Sequence, residues 1–384
     1  MTIQKLAAGG DGLGHLDDGR VVFVAGALPG ETATVRLTQS KKDYAKAVVV
    51  SFLVESDHRV TPPCPEIARG CGGCGWQHIR ADAQLTMKAD VLIDALRRTA
   101  RLNDADVRLG AAVSPWGYRT SMRPAVRPDG RLGLRAESSH DVVDLHSCMV
   151  AHPLLEQLMA GTRLSGSSEV SLRVSAATGE RTIWADGARF ARVPDDVQIG
   201  PDAVLYEHVA GVPLRVSAAS FFQSGQQAAD LVVEAVRRAI GESLGSRHLL
   251  DAYGGIGLFS AVLGAERSTI VEGNPTACAD ARVNTAGASM DVVHSAVERW
   301  LPTTVDVVVA DPSRAGLGSA AVDVLTACQP ACFVLVSCDP VAMARDTGLM
   351  GQRGYRLEYC EVLDLFPNTS HLEVVSRFVQ EDSA

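Results

Sequence analysis

The alternation of apolar and polar positions changes character along the chain. Up to about residue 56, short runs rich in β-branched residues recur at 21–24, 32–37 and 47–54, separated by turn signals at Asp18-Gly19-Arg20 and Pro29-Gly30. Strands this short predict a small β-barrel of the OB type over residues 1–56, a scaffold suited to binding RNA. A stretch rich in proline, cysteine and glycine, TPPCPEIARGCGGCGW, marks the next boundary. Leu85, Val91, Leu92 and Leu96 then recur at roughly helical spacing and predict a helix near 83–102. Alternation returns at 169–174, 181–185 and 203–209, which predicts a β-rich central domain over 57–218.

From about 219 the rhythm becomes strand and helix in turn. Strands are predicted at 248–252, 269–272, 306–310 and 333–337, with helical segments between them. That pattern implies a parallel sheet covered on both faces, so the fold class is α/β, with a Rossmann-like domain over 219–384. The last residues, 380–384, are expected to fray. There is no internal repeat or low-complexity tract.

Composition adds limits. Apolar residues make up 46% and charged residues 21% of the 384, as in ordinary globular chains. No run approaches the ~20 apolar residues needed to cross a bilayer. The start, MTIQKLAAGGDGLG, lacks a signal peptide's features, so a cytoplasmic address is expected. Nine cysteines in such a chain argue against a disulfide framework and leave metal or catalytic roles for the clustered ones. A net charge of −9 speaks against nucleic acid as a partner, but RNA responds to local patches. Arg119, Arg123, Arg127, Arg131 and Arg135 lie within seventeen residues that hold one acid, Asp129. That segment is either an RNA contact or a solvated hairpin.

LLDAYGGIGLFSAVLG is an apolar strand entering a glycine-rich turn and a helix. Gly254, Gly255 and Gly257 allow the backbone to turn tightly and approach a ligand. Eighteen residues after Gly254, the next strand ends in Glu272, whose carboxylate can accept from both hydroxyls of a ribose. Such an arrangement serves a dinucleotide or S-adenosylmethionine, or is a tight turn without a ligand. Later segments bear on the choice. VDVVVADPSRAG puts Asp311 and Arg314 just past a buried strand, and FVLVSCDP puts Cys338 at the end of the next. Both lie at the edge where open α/β sheets bind ligands. A dehydrogenase has no evident use for that cysteine, whereas a methyltransferase acting on a pyrimidine does.

Uracil C5 is a poor nucleophile. Addition of a thiolate at C6 makes C5 able to attack a sulfonium methyl, and a base must then remove the C5 proton. Cysteine suits the first task because a few per cent is thiolate at neutral pH for a pKa of about 8.5, and Arg314 nearby would raise that fraction. The bland alternative is an inert buried thiol. Glu373, an acid in the largely apolar FPNTSHLEVVSRF, is the candidate base, since desolvation would raise its pKa. His371 shares its face if the segment is extended; a satisfied core or surface histidine is the other reading.

Taken together, these segments resemble the RNA (uracil-5-)-methyltransferases, in particular the branch with an N-terminal TRAM domain and an iron–sulfur cluster. GDGLGHLDDGRVVFVAGALPGE is similar to the opening of a TRAM domain, CGGCGWQH to a cluster signature, and SFFQSGQQAADLV to the start of the catalytic domain. SCDP and HLEVV, with 35 residues from Cys338 to Glu373, resemble the nucleophile and base motifs. The likeness covers almost the entire chain and implies a class I methyltransferase fold for the C-terminal domain. It implies Cys338 as nucleophile, Glu373 as base, and Gln223, Tyr253, Glu272 and Asp311 in contact with S-adenosylmethionine, beside the turn of Gly255 and Gly257. It also implies a [4Fe–4S] cluster on Cys64, Cys71, Cys74 and Cys148. The spacing Cys64-x₆-Cys71-x₂-Cys74 is in itself that of a metal site, with zinc an equal rival on chemistry alone. Cys278, Cys328, Cys332 and Cys360 are expected to pack in apolar surroundings.

Some positions depart from the family pattern. Ser313 replaces a proline, Asp339 an asparagine, Gly254 a cysteine, Leu258 a cofactor-contacting asparagine, and Gly225 an asparagine. The resemblance implies ribosomal RNA, 23S in kind, as substrate, because dedicated transfer-RNA members generally lack barrel and cluster. The rivals are a methyltransferase for transfer RNA or another base, and a non-catalytic RNA-binding protein with a degenerate fold. Nothing requires more than a monomer.

Overall fold

The first residues of the chain close a barrel. Strands β1 (Lys5–Leu6), β2 (Gly12–His15), β3 (Val21–Ala25), β4 (Thr32–Ser40) and β5 (Tyr44–Val54) pair in the order β1-β2-β3-β5-β4. The segment before β1 turns back onto β4: the Ile3 N–H donates to Glu31 O at 2.8 Å and the Ala33 N–H to Met1 O at 2.9 Å. Ile3, Val22, Val24, Ala45 and Ala47 fill the interior. In this computed structural model residues 1–137, 139–241, 244–287 and 289–381 are described; of the expected frayed tail, 382–384 lie outside them.

The large sheet has eight strands. They are β6 (Val107–Ala112), β7 (His248–Ala252), β8 (Arg267–Glu272), β9 (Ser289–His294), β10 (Val307–Ala310), β11 (Cys332–Ser337), β12 (Tyr355–Asp364) and β13 (Glu373–Gln380). Their order is β9-β8-β7-β10-β11-β13-β12-β6. The first five run parallel, and β13 is antiparallel to both of its neighbours. Every residue of β7, β10 and β11 is buried, because helices cover both faces and the strands can be apolar throughout. The helix Gln226–Ile240 packs on one face and Gly318–Thr326 on the other.

Two pieces of chain from before residue 219 lie against this sheet. The predicted helix is Ala81–Ala95, prolonged by a π turn over Leu96–Ala100. Leu92 and Leu96 pack against Met343, Val362, Leu372 and Val374. Strand β6 then pairs in parallel with β12. The hairpin Val204–Val209 and Val212–Ser217 also joins the core beneath Gln226–Ile240. The rest of the central region has its own core, in which Leu155 and Leu158 of the helix Pro153–Gly161 pack on Leu172 and Ile183. Among the described residues no helix is long and apolar enough to cross a membrane.

Candidate active site

The C-terminal ends of the parallel strands gather the polar residues that the sequence singled out. Asp311 follows β10, and its N–H donates to Ala252 O at the end of β7, at 3.2 Å. Cys338 follows β11, whose last residue Ser337 pairs with Val374, next to Glu373. The antiparallel β13 therefore delivers Glu373 at its start to the edge where β11 delivers Cys338 at its end.

Buried carboxyls dominate the electrostatics. Burial, then repulsion from Asp311, raises Glu373 well above the carboxylate range, as its apolar strand predicted. Burial, then Asp251, raises Asp311 as well. The thiol reverses an expectation. Burial first, then Glu373 and Asp311, push Cys338 up to about 12, and the opposing effect of Arg314 is too small to compensate. The resting side chain is a thiol, not a partly ionised thiolate. Arg314 instead donates to His371 Nε2 at 3.2 Å. Desolvation and then this guanidinium hold the imidazole below its ordinary range, so His371 is neutral.

Cys338, Asp339, Arg314 and His371 line a cavity of about 260 Å³ whose opposite wall is Ala7–Gly9 of the barrel, with Trp76. The barrel approaches closely: a Cβ on Gly10 would lie 2.5 Å from Trp76 Nε1. Trp76 also ties the cysteine-rich stretch to the loop before β13, because its backbone N–H donates to Asn368 O at 2.9 Å.

Next to this lies the glycine-rich turn. Tyr253, Gly255 and Gly257 all have positive φ, of 57°, 54° and 79°, which costs a non-glycine residue such as Tyr253 some strain. The Tyr253 hydroxyl donates to Glu298 Oε1 at 2.7 Å. Glu272 accepts from the N–H groups of Gly255 at 2.9 Å and Asn274 at 2.6 Å, and so fastens the turn to the end of β8. Gln223 reaches Asp311 Oδ2 from the other side, at 3.5 Å.

Asp251 was not singled out by the sequence. It is fully buried in β7, accepts from the N–H and hydroxyl of Ser260 at 3.0 and 2.9 Å, and is pushed up to about 7 by burial. Its signal was the one used for Glu373, an acid in an apolar strand.

The unusual positions have local explanations. Asp339 caps the helix Pro340–Gly351, accepting from the Val341 and Ala342 N–H groups, a role asparagine and aspartate share. Leu258 belongs to the apolar core. A Cβ on Gly254 would meet Ile270 Cγ2 at 2.7 Å, and one on Gly225 would meet Tyr118 O at 2.7 Å. Ser313 is exposed, and nothing in the structure explains the choice of serine there.

Cys64, Cys71, Cys74 and Cys148 line one cavity of about 370 Å³. Burial first, then Cys148, Cys71 and Cys64, push the Cys74 thiol up to about 11. Cys71 forms a β-bridge with Ala136, and a Cβ on Gly72 would lie 2.6 Å from the Glu137 nitrogen, so the loop needs glycine there. Among the described residues no group of three or more histidine, cysteine, aspartate or glutamate side chains is set to hold a single metal ion. Cys278, Cys328, Cys332 and Cys360 are buried, as expected.

Comparison with known proteins bears on the family and the fold. Residues 1–50 match the TRAM domain. An uncharacterized RNA methyltransferase of Streptomyces avermitilis is 32% identical, covering 98% of this chain and 96% of its own. The 23S rRNA (uracil(1939)-C(5))-methyltransferase of Shewanella halifaxensis is 32% identical, covering 98% and 95%. The crystal structure of the Pyrococcus abyssi tRNA (uracil-54, C5)-methyltransferase, in complex with S-adenosyl-L-homocysteine, superimposes with a TM-score of 0.73 at 23% identity. It covers 99% of this chain and 100% of its own. With relatives of this identity matching along nearly its full length, the chain belongs to the RNA (uracil-C5)-methyltransferase family, with a TRAM domain at its N-terminus.

Proposed function

We propose that the protein methylates C5 of a uracil in RNA, with S-adenosylmethionine as methyl donor, Cys338 as nucleophile and Glu373 as base. The observation that carries this reading is the arrival of Asp311, Cys338 and Glu373 at one sheet edge from β10, β11 and β13. The Cys338 sulfur adds to C6 and its proton leaves to solvent. C5 then attacks the sulfonium methyl, forming a C5–C bond as the S–C bond breaks. Glu373 takes the C5 proton as the C6–Sγ bond breaks and expels the thiolate, which then takes up a proton to restore the thiol. A raised pKa suits Glu373 to proton uptake. Asp311 and Glu373 ionise more readily beside a sulfonium, which readies the base once the donor is in place.

Gln223, Tyr253, Gly255, Gly257, Glu272 and Asp311 form the proposed S-adenosylmethionine site, with Glu272 turned to the ribose. Cys64, Cys71, Cys74 and Cys148 are the proposed ligands of a [4Fe–4S] cluster. Their lining of one cavity is what supports a shared site, and thiolates are the usual ligands of such a cluster. Bound there, a cluster would cross-link the loop before Trp76 to the central domain.

We further propose a barrel over 1–56, a central unit within 57–218 and a catalytic unit over 219–384 to which residues 81–112 are added, acting as a cytoplasmic monomer. The ribosomal-RNA relatives favour 23S rRNA as the substrate. The test is methyl transfer from labelled S-adenosylmethionine to unmodified ribosomal and transfer RNA, offered separately to anaerobically purified protein. The expected product is 5-methyluridine in the ribosomal pool, absent with Cys338→Ala. Product in the transfer-RNA pool alone overturns the substrate. Cofactor binding without methylation in either pool overturns the target, and no cofactor binding supports a non-catalytic RNA-binding protein.

A further inference from the structure

The structure divides the five arginines between Arg119 and Arg135. Arg127 pairs with Asp129 and Asp144, Arg131 with Asp129, and Arg135 with Glu169. Arg119 and Arg123 have no acidic partner among the described residues. Arg119 donates to Ser121 O at 3.1 Å. Both line a cavity of about 450 Å³ together with Arg173, which comes from a different strand, Ser171–Val174. No carboxylate is among the described residues that line it.

Arg173 is buried, and its one hydrogen bond runs from Nη2 to Ser220 O at 2.8 Å; Nε and Nη1 have no partner among the described residues. Glu207 and Asp280 act on it only through space, and burial still pushes the guanidinium down to about 10. A buried cation without an ion pair is costly unless an anion arrives, and three guanidinium groups around one cavity match the oxygens of a phosphate. Asn274, which caps the helix Pro275–Asn284, lines the same cavity. In a chain of net charge −9, RNA affinity must come from such local fields.

We propose that Arg119, Arg123 and Arg173 form a phosphate subsite for the RNA backbone beside the target nucleotide, an assignment that rests on the RNA reading above. Arg131 and Arg135, held by acids, contribute little. The experiment is the salt dependence of binding to unmodified ribosomal RNA for the full-length protein and its variants. Arg123→Ala, at an exposed position, should reduce the slope of log K against log salt by about 0.7 for each single-stranded phosphate that is no longer neutralised. Arg131→Ala should leave the slope in place. Arg173→Lys, which keeps the charge and removes the fork, should weaken binding while S-adenosylmethionine affinity is retained. An unchanged slope in Arg123→Ala, or an equal drop in Arg131→Ala, overturns the subsite while leaving RNA binding intact. Weaker cofactor binding in Arg123→Ala at an unchanged RNA slope would give the site to the cofactor's carboxylate and overturn it too. Wild-type protein with no salt-dependent RNA binding would overturn the RNA reading itself.

Discussion

Replacing Lys88 by Met tests how the linking helix is joined to the catalytic sheet. Lys88 Nζ lies 2.6 Å from Asp364 Oδ1, with side chains 0% and 3% exposed, and also donates to Phe366 O at 3.1 Å. Burial pushes Lys88 down and Asp364 up, each ahead of the attraction between them. The pair taken whole is therefore no large net stabiliser, but its halves depend on each other. Removing Lys88 alone strands a buried carboxylate, which costs about 3–5 kcal/mol. Lys88→Met with Asp364→Asn removes the charge and should recover roughly half of that loss or more. The sign with pH follows from Asp364. Its folded pKa is raised, so its ionisation opposes folding above the unfolded value of about 3.9, and more so without Lys88. The penalty of the single variant should therefore be largest near pH 7 and fade towards pH 4. Urea unfolding at both pH values measures it, with amide exchange in Ala81–Ala95 and Tyr355–Asp364 reporting local opening. A single-variant cost under about 1 kcal/mol at pH 7, or a double variant no better than the single, would refute the reasoning.

Further outcomes follow from the site. Glu373→Gln should lower turnover by about 10²–10⁴-fold and accumulate a Cys338–RNA adduct that survives denaturing electrophoresis; an adduct that forms equally well in Cys338→Ala removes that cysteine from the mechanism. Burial raises Glu373 well above its ordinary value and Asp311 to about 7 in the free protein, so binding a sulfonium should release protons. The affinity for S-adenosylmethionine relative to uncharged S-adenosylhomocysteine should then rise from about pH 4 up through neutrality, by at most about tenfold per pH unit for each proton released, and a flat ratio by calorimetry would contradict it. Protein purified without oxygen should carry iron and sulfide and absorb visible light, and Cys74→Ser should lose both; stoichiometric zinc in their place would refute the cluster.

The sheet edge that gathers Asp311 and Cys338 was legible because buried parallel strands read as continuous apolar runs, so both residues stand out where β10 and β11 stop. Barrel strands were legible for a related reason, since turn residues punctuate them, although β4 and β5 meet closer to their shared turn than the apolar runs suggested. What failed was whatever distant chain decides. Strand β6 has no fully buried residue and carries no alternation to announce it; its partner in β12 pairs Val107 with Cys360. The first arm of the hairpin, Val204–Val209, was readable as strand, yet no local pattern tells which core receives it. The thiol of Cys338 depends on how near Glu373 and Asp311 come, which is a tertiary fact. Sequence could likewise count five arginines but could not see Asp144 and Glu169 neutralising two of them.

The pairing of β6 with β12 also sets a timetable for biosynthesis. Val107 and Cys360 are about 250 residues apart, and ribosomes add roughly 5–20 residues per second. The barrel can close soon after it emerges, since all its strands lie within the first 54 residues. Leu92, Leu96 and the open edge of β6 must then wait roughly 12–50 s for β12 and β13 to be made. During that interval the nascent chain presents an apolar helix face and an unpaired strand. Its yield in a cell should therefore depend on chaperones that shield early segments until translation ends.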